Sequence, residues 1–285
     1  MRGKTLELGR RTLVMGILNI TPDSFSDGGR FFSRDRAVAH ALAMLDEGAD
    51  MLDIGGESTR PGSKVTGTGV PADEELRRIM PVIEEVLRLR PDAVISVDTY
   101  KAVVARTAVD AGAEIVNDVS AMRWDANMEQ TVKELQCGVV LMHTRGKPEE
   151  WLKMQPSPDI VAEVKADFRN WTQQATAKGI GRERIVLDPG FGFGKKFEGN
   201  YPLLAGLSEL HELGYPVLSG TSRKSFIGRT LARQGQDLPM GERIYGTLAT
   251  VTASALQGAH IVRVHDVKPA YEAVKVADEI LKSHS

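Results

Sequence analysis

Along this chain, short apolar runs that stop on a polar residue alternate with longer stretches in which apolar residues recur every three or four positions. Eight of the short runs read as strands: 13–20, 51–55, 94–98, 115–118, 138–143, 185–188, 216–219 and 260–265. Near-continuous apolarity over so few residues suits parallel strands covered on both faces. Between them, 34–47 carries Ala37, Ala41, Met44 and Leu45 at helical spacing, and 74–90 places Leu76, Ile79, Val82, Ile83, Val86 and Leu87 on one face. Helices are likewise expected at 101–111, 128–135, 159–178, 202–213, 242–257 and 267–282, with another opening near Lys224.

Gly48, Gly112, Gly179, Gly214 and Gly258 follow the periodic segments, where a helix commonly exits through a left-handed residue. Strand, loop, helix and glycine turn recurring eight times imply an all-parallel α/β sheet. Over 285 residues that repeat predicts a single (β/α)8 TIM barrel occupying 1–285 as one domain. A doubly wound open sheet is the alternative. It would place a glycine-rich dinucleotide loop after the first strand, where Asn19-Ile-Thr-Pro-Asp-Ser-Phe25 stands instead.

In such a barrel the strand C-termini share one mouth. The polar residues at those ends are Asn19, Asp53, Asp98, Asn117 with Asp118, His143, Asp188, the run 219–224, and Arg263 with His265. Any one of them could cap a turn or helix. Mixed acids, amides and cations on nearly every strand point instead to a polar ligand. Arg263 and His265 share a side of the last strand. Lys224 follows the seventh, and loops after strands seven and eight commonly hold phosphate. The competing expectation is that Arg263 and Lys224 simply pair with Asp98 or Asp188.

Composition narrows the function classes. A net charge of −2 gives no electrostatic reason to expect nucleic acid or a membrane surface. Cys137 is the only cysteine, which suits a reducing, cytoplasmic setting, and a small core residue is expected there. The basic start leads into a short apolar run with no small-residue cleavage site, so no signal peptide is expected, nor any membrane span. Gly190-Phe-Gly-Phe-Gly-Lys195 lacks the spacing of a nucleotide P-loop, and Gly220-Thr-Ser222 lacks the second glycine of a nucleophile elbow. Met142, Phe191 and Phe193 can be core or the walls of an aromatic slot. The polar, glycine-rich stretches 21–30 and 57–69 are long enough to act as lids.

Six motifs spread over nearly the whole chain resemble the dihydropteroate synthase family: Gly16-Ile-Leu-Asn-Ile-Thr-Pro-Asp-Ser-Phe-Ser-Asp-Gly-Gly29, Asp53-Ile-Gly-Gly-Glu-Ser-Thr-Arg-Pro-Gly62, Ser96-Val-Asp-Thr99, the segment 185–194, Ser222-Arg-Lys-Ser225 and Arg263-Val-His-Asp266. The first two are long and specific. The chain departs from the family at 122–127 and 147–157, where Trp124 and Trp151 are expected in surface loops.

The resemblance implies condensation of 6-hydroxymethyl-7,8-dihydropterin diphosphate with 4-aminobenzoate in a homodimer. A methyltetrahydrofolate-binding methyltransferase domain is the alternative within pterin chemistry. The resemblance assigns Asp98, Asn117, Met142, Asp188, Phe193 and Lys224 to the pterin, and Asn19, Thr59, Arg263 and His265 to the diphosphate with Mg2+ at Asn19. Phe25, Thr59, Arg60, Pro61 and Ser222 are assigned to aminobenzoate, and Asp98, Lys224 and Arg263 to catalysis. A carboxylate such as Asp188 suits the adjacent donors of an amino-pyrimidinone edge, and Asn117 suits mixed donors and acceptors.

Overall fold

The computed structural model describes residues 5–21, 30–57 and 69–283, with the backbone alone at 30–33. Its strands are β1 (Leu13–Asn19), β2 (Met51–Gly55), β3 (Ile95–Asp98), β4 (Ile115–Asp118), β5 (Gly138–Met142), β6 (Ile185–Asp188), β7 (Leu218–Ser219) and β8 (Ile261–Val264). All pairings are parallel, in the order β6-β5-β4-β3-β2-β1-β8-β7. A parallel bridge between Leu187 and Val217 joins the two ends, helped by Leu187 N–H donating to Pro216 O at 2.9 Å. The result is a (β/α)8 barrel. A ladder of only two residues in β7 fits the proline at 216, which has no N–H to donate.

The outer ring consists of α1 (Arg30–Asp46), α2 (Ala72–Leu89), α3 (Ala102–Asp110), α4 (Met128–Leu135), α5 (Ile160–Ala177), α6 (Asn200–Ala205), α7 (Ser225–Thr230), α8 (Ile244–Leu256) and α9 (Val267–Lys282). One expected helix divides: α6 stops at Gly206, and 3-10 turns carry the chain from Leu207 to Leu213. The five glycine exits all have positive φ, from +72° at Gly214 to +120° at Gly112, the conformation glycine adopts without penalty.

Side-chain alternation sorts the strands into two layers. Val14 and Leu18, Leu52 and Ile54, Ile95 and Val97, Val139 and Leu141, and Val262 and Val264 point outward into the main core beneath the helices. Leu13 and Met15, Met51, Val94, Ile115, Val140, Leu218 and Ile261 point inward and plug the lower barrel, with Leu6 and Leu8 packed against them. Following the inward parity upward from this plug leads to the mouth.

Candidate active site

On the inward parity, Asp53 follows Met51, Asp98 follows Val94 and Ser96, Asn117 follows Ile115, Met142 follows Val140, Asp188 follows Val186, and Arg263 and His265 follow Ile261. Of these, Asp53, Asp98, Asn117 and Arg263 form a connected polar layer. Asp53 is fully buried; its Oδ2 accepts from Arg263 Nε at 2.5 Å and from Asn117 Nδ2 at 2.8 Å. Arg263 Nη2 donates to Asp98 Oδ2 at 2.6 Å. One guanidinium therefore serves two carboxylates. Burial, with Asp53 beside it, pushes the Asp98 carboxyl up to about 7 in spite of Arg263. Burial pulls the Arg263 guanidinium down, but Asp53 and Asp98 more than offset it and raise its pKa above the ordinary value. The expectation that Arg263 pairs with an acid therefore holds as well: it does so while facing the cavity.

A deeper compartment lies against this layer, lined by Asp98, Asn117, Val119, Met142, Asp188, Phe193, Lys224 and Arg263 with Gly190, Phe191 and Gly220. All six residues assigned to the pterin meet here. Asp188 Oδ1 accepts from Gly190 N–H at 2.7 Å, while burial raises its carboxyl against the pull of Lys224 and Arg263. Gly190 is required at that turn: φ is +65°, and a Cβ would lie 2.0 Å from the His143 carbonyl oxygen. Lys224 precedes α7 and holds its Nζ 4.1 Å over the Phe193 ring. Met142 packs with Tyr100 and Val119, and Phe193 and Trp124 close over them. The compartment is lined by apolar Val119, Met142, Phe191 and Phe193 together with polar Asp98, Asn117, Asp188, Lys224 and Arg263.

An outer cavity of about 350 Å³ adjoins it, sharing Asp98, Phe193, Gly220, Lys224 and Arg263 and adding Asn19, Glu57, Trp151, Ser222, Arg243 and His265. His265 N–H donates to Ser222 Oγ at 3.2 Å, and Ser222 Oγ lies 3.0 Å from His265 Nδ1. The serine hydroxyl can donate to Nδ1 or accept from it as well as from the backbone, so this contact fixes the ring's orientation and is open to either tautomer. Burial and the cations Arg263, Arg223 and Lys224 press His265 down to about 3, so the ring is neutral near pH 7. Arg223 itself is engaged by Asp266 at 2.9 and 2.5 Å. The amide of Asn19 supplies a hard oxygen at this rim.

Two strand-end residues turn away from the mouth. Asp118 lies on the outward parity of β4 and caps its own loop, accepting from Ser120 N–H at 2.7 Å and Met122 N–H at 2.9 Å. His143 also points outward: its Nε2 is 3.0 Å from Asp167 Oδ2 on α5, and its ring stacks on Trp171. Alternation along each strand could have separated both from the inward set. Trp151 is no surface residue. It is buried and meets Phe193 edge-on, and Trp124 similarly packs on Tyr100. Cys137 is buried as expected. Phe25, Thr59, Arg60 and Pro61 lie outside the described residues.

Sequence reasoning missed two buried charges. Asp53 entered only as one strand end among several, yet it anchors both Arg263 and Asn117. Lys195 is almost fully buried, with Nζ 2.9 Å from His143 Nδ1, 2.8 Å from His143 O and 3.2 Å from Phe193 O. Three acceptors match the three donors of an ammonium. The lysine ties the β5 and β6 loops together although burial pulls its pKa well down. No local signal marks a lysine as buried.

Fold and mouth together define a (β/α)8-barrel enzyme of the pterin-binding class, and residues 15–265 match the family model described as pterin binding enzyme. Dihydropteroate synthase of Bacillus subtilis (strain 168) is 45% identical over 276 residues, covering 97% of this chain and 91% of that protein. A crystal structure of the Clostridium difficile dihydropteroate synthase in the presence of pteroic acid superposes with a TM-score of 0.87 at 45% identity, covering 97% of this chain and 99% of that one. The Xanthomonas albilineans enzyme with 4-aminobenzoic acid gives 0.86 at 45% identity, covering 95% and 93%. The chain belongs to the dihydropteroate synthases, a family of transferases.

Proposed function

We propose that this chain condenses 6-hydroxymethyl-7,8-dihydropterin diphosphate with 4-aminobenzoate, releasing 7,8-dihydropteroate and diphosphate, and that its whole length works as one domain. The observation that carries the reading is the pairing of a compartment lined by Asp98, Asn117, Asp188, Met142 and Phe193 with an adjoining cavity that holds Arg263 and a neutral His265. Relatives with pteroic acid and with 4-aminobenzoic acid support it.

Asp188 accepts the donors on the amino-pyrimidinone edge, Asn117 serves mixed positions beside them, and Lys224 donates to a ring acceptor. Met142 and Phe193 flank the ring. Arg263 donates to the diphosphate, as does His265 in the tautomer protonated on Nε2, and Thr59 belongs to the same end. As the C–O bond breaks, its electron pair leaves on the diphosphate, and positive charge spreads from the methylene carbon into the pterin. Asp98, which burial keeps near its midpoint at neutral pH, is drawn into its charged form by that cation and stabilises it. The arylamine lone pair then forms the C–N bond and the nitrogen gives up a proton. No covalent nucleophile on the protein is needed. Phe25, Thr59, Arg60, Pro61 and Ser222 form the aminobenzoate side.

A magnesium ion fits this rim. Bound mainly through phosphate oxygens and water, it needs few protein ligands, and Asn19 beside Arg263 and His265 offers a neutral amide oxygen. The ion would offset diphosphate charge. Among the described residues no helix is long and apolar enough to cross a membrane. Cys137 is the only cysteine of the sequence, and a cytoplasmic location is proposed. Val276, Ile280 and Leu281 on α9 are exposed apolar residues that a second copy could cover; light scattering would show whether the chain is a homodimer. The decisive assay follows diphosphate release and dihydropteroate formation from the two named substrates with magnesium. Purified, folded protein that forms neither product removes the reading.

A further inference from the structure

We propose that Trp151, in the loop between β5 and α5, is a positioning residue for the pterin side of the reaction: it sets the orientation of Phe193, the ring shared by both compartments. The inference rests on the pterin reading given above.

Phe193 stands in a loop that cannot brace its own side chain. Its neighbours Gly190, Gly192 and Gly194 all have positive φ, at +65°, +85° and +73°, and none carries a side chain to pack on the ring. The backbone is held within the loop by Phe193 N–H donating to Gly190 O at 3.2 Å and Lys195 Nζ donating to Phe193 O at 3.2 Å, and from outside by Arg145 N–H donating to Phe193 O at 3.4 Å. The ring is held from outside too. Lys224 Nζ stands over its face, while the Trp151 indole meets it edge-on, with centroids 5.3 Å apart and planes at 88°. The indole also lies directly on the glycine loop: a Cβ at Gly194 would come within 3.1 Å of Trp151 Cδ1.

Trp151 is 5% exposed, and its Nε1 is buried with no hydrogen-bond partner among the described residues. An unpaired buried donor is a cost, so the contribution of this residue at the site comes from ring shape and edge-to-face packing. A phenylalanine keeps that packing and loses no bond with a described residue. A leucine fills space without an aromatic edge.

The test is steady-state kinetics on Trp151→Leu and Trp151→Phe, with melting midpoints to confirm folding. Trp151→Leu is expected to raise KM for the pterin diphosphate about three- to ten-fold and to leave KM for 4-aminobenzoate within about two-fold, while Trp151→Phe recovers wild-type values. Equal rises in both constants, a fall in kcat alone, a phenylalanine variant as impaired as the leucine one, or no change would each overturn the proposal. If Trp151→Leu does not fold, Trp151→Met takes its place under the same criteria. A wild-type protein that forms no dihydropteroate refutes the reaction rather than this inference. Equilibrium binding of 6-hydroxymethylpterin diphosphate to wild type and variants then decides it: weakened binding by the leucine variant alone supports the positioning role, and equal binding ends it.

Discussion

Arg263 on β8 and Asp53 on β2 meet at 2.5 Å inside the barrel although 210 positions separate them in the chain. The same guanidinium reaches Asp98 at 2.6 Å. With both acids ionised, two carboxylates against one cation leave a net negative charge where the proposed reaction develops a positive one. The arrangement is costly to bury and useful in a transition state.

Removing Asp53 should therefore unsettle the whole layer. Asp53→Ala leaves Arg263 with one carboxylate and strips Asn117 of its acceptor, which by analogy with broken buried pairs costs about 3–5 kcal/mol of stability. Urea unfolding of wild type and variant measures this as a lower midpoint at unchanged slope. A difference below about 1 kcal/mol would mean that Arg263 finds another partner.

Asp188 and Phe25 should separate the two substrates. Loss of a charged hydrogen-bonding partner costs about 1.5–3 kcal/mol, so Asp188→Ala should weaken pterin binding by roughly ten- to a hundred-fold or more. Phe25→Ala should mainly raise KM for 4-aminobenzoate. Calorimetry with the pterin and initial rates with the aminobenzoate read the two effects, and similar losses of pterin affinity in both variants would contradict the division of roles.

Asp98 should titrate near neutrality in the free protein. Burial raises it to about 7 from an ordinary value of 3.8, so the folded state binds its proton more tightly than the unfolded chain does. Its contribution to stability consequently grows as pH falls from about 7 towards 4. A 13Cγ titration of labelled aspartates should show a carboxyl with a midpoint near 7 that disappears in Asp98→Asn; a set of aspartates all titrating near 4 would refute this.

His143 should act in the opposite direction. Burial first, then Lys195, lowers it from 6.5 to about 4, so the unfolded chain takes up a proton that the folded one refuses. The stability present above pH 6.5 is lost as pH falls towards 4, by about 3 kcal/mol on the scale of one pKa unit per 1.4 kcal/mol. Denaturation at pH 7.5 and pH 5 should show His143→Gln losing less than wild type over that interval. Equal losses would place the acid sensitivity elsewhere.

Much of this was legible before any coordinates. Apolar runs ending on one polar residue marked the strands, the 3.6-residue period marked the helices, and Gly48, Gly112, Gly179, Gly214 and Gly258 marked the exits between them. Those signals are local, because they reflect hydrogen bonding and side-chain alternation within a few residues. Asn117, Asp188 and Lys224 were identifiable as candidates since each is a polar residue at or just beyond a strand end, while Met142 was assigned only by the family resemblance. Other features depended on closure of the sheet. Strand alternation puts His143 and Asp118 on the face opposite Met142 and Asn117, but only the closed barrel makes one face a mouth and the other a helix-covered core. The bond between Arg263 and Asp53 crosses from β8 to β2 over the intervening β1, and the burial of Lys195 and Trp151 depends on two loops meeting. Such contacts are made by the shape of the whole chain, and no window of neighbouring residues contains them.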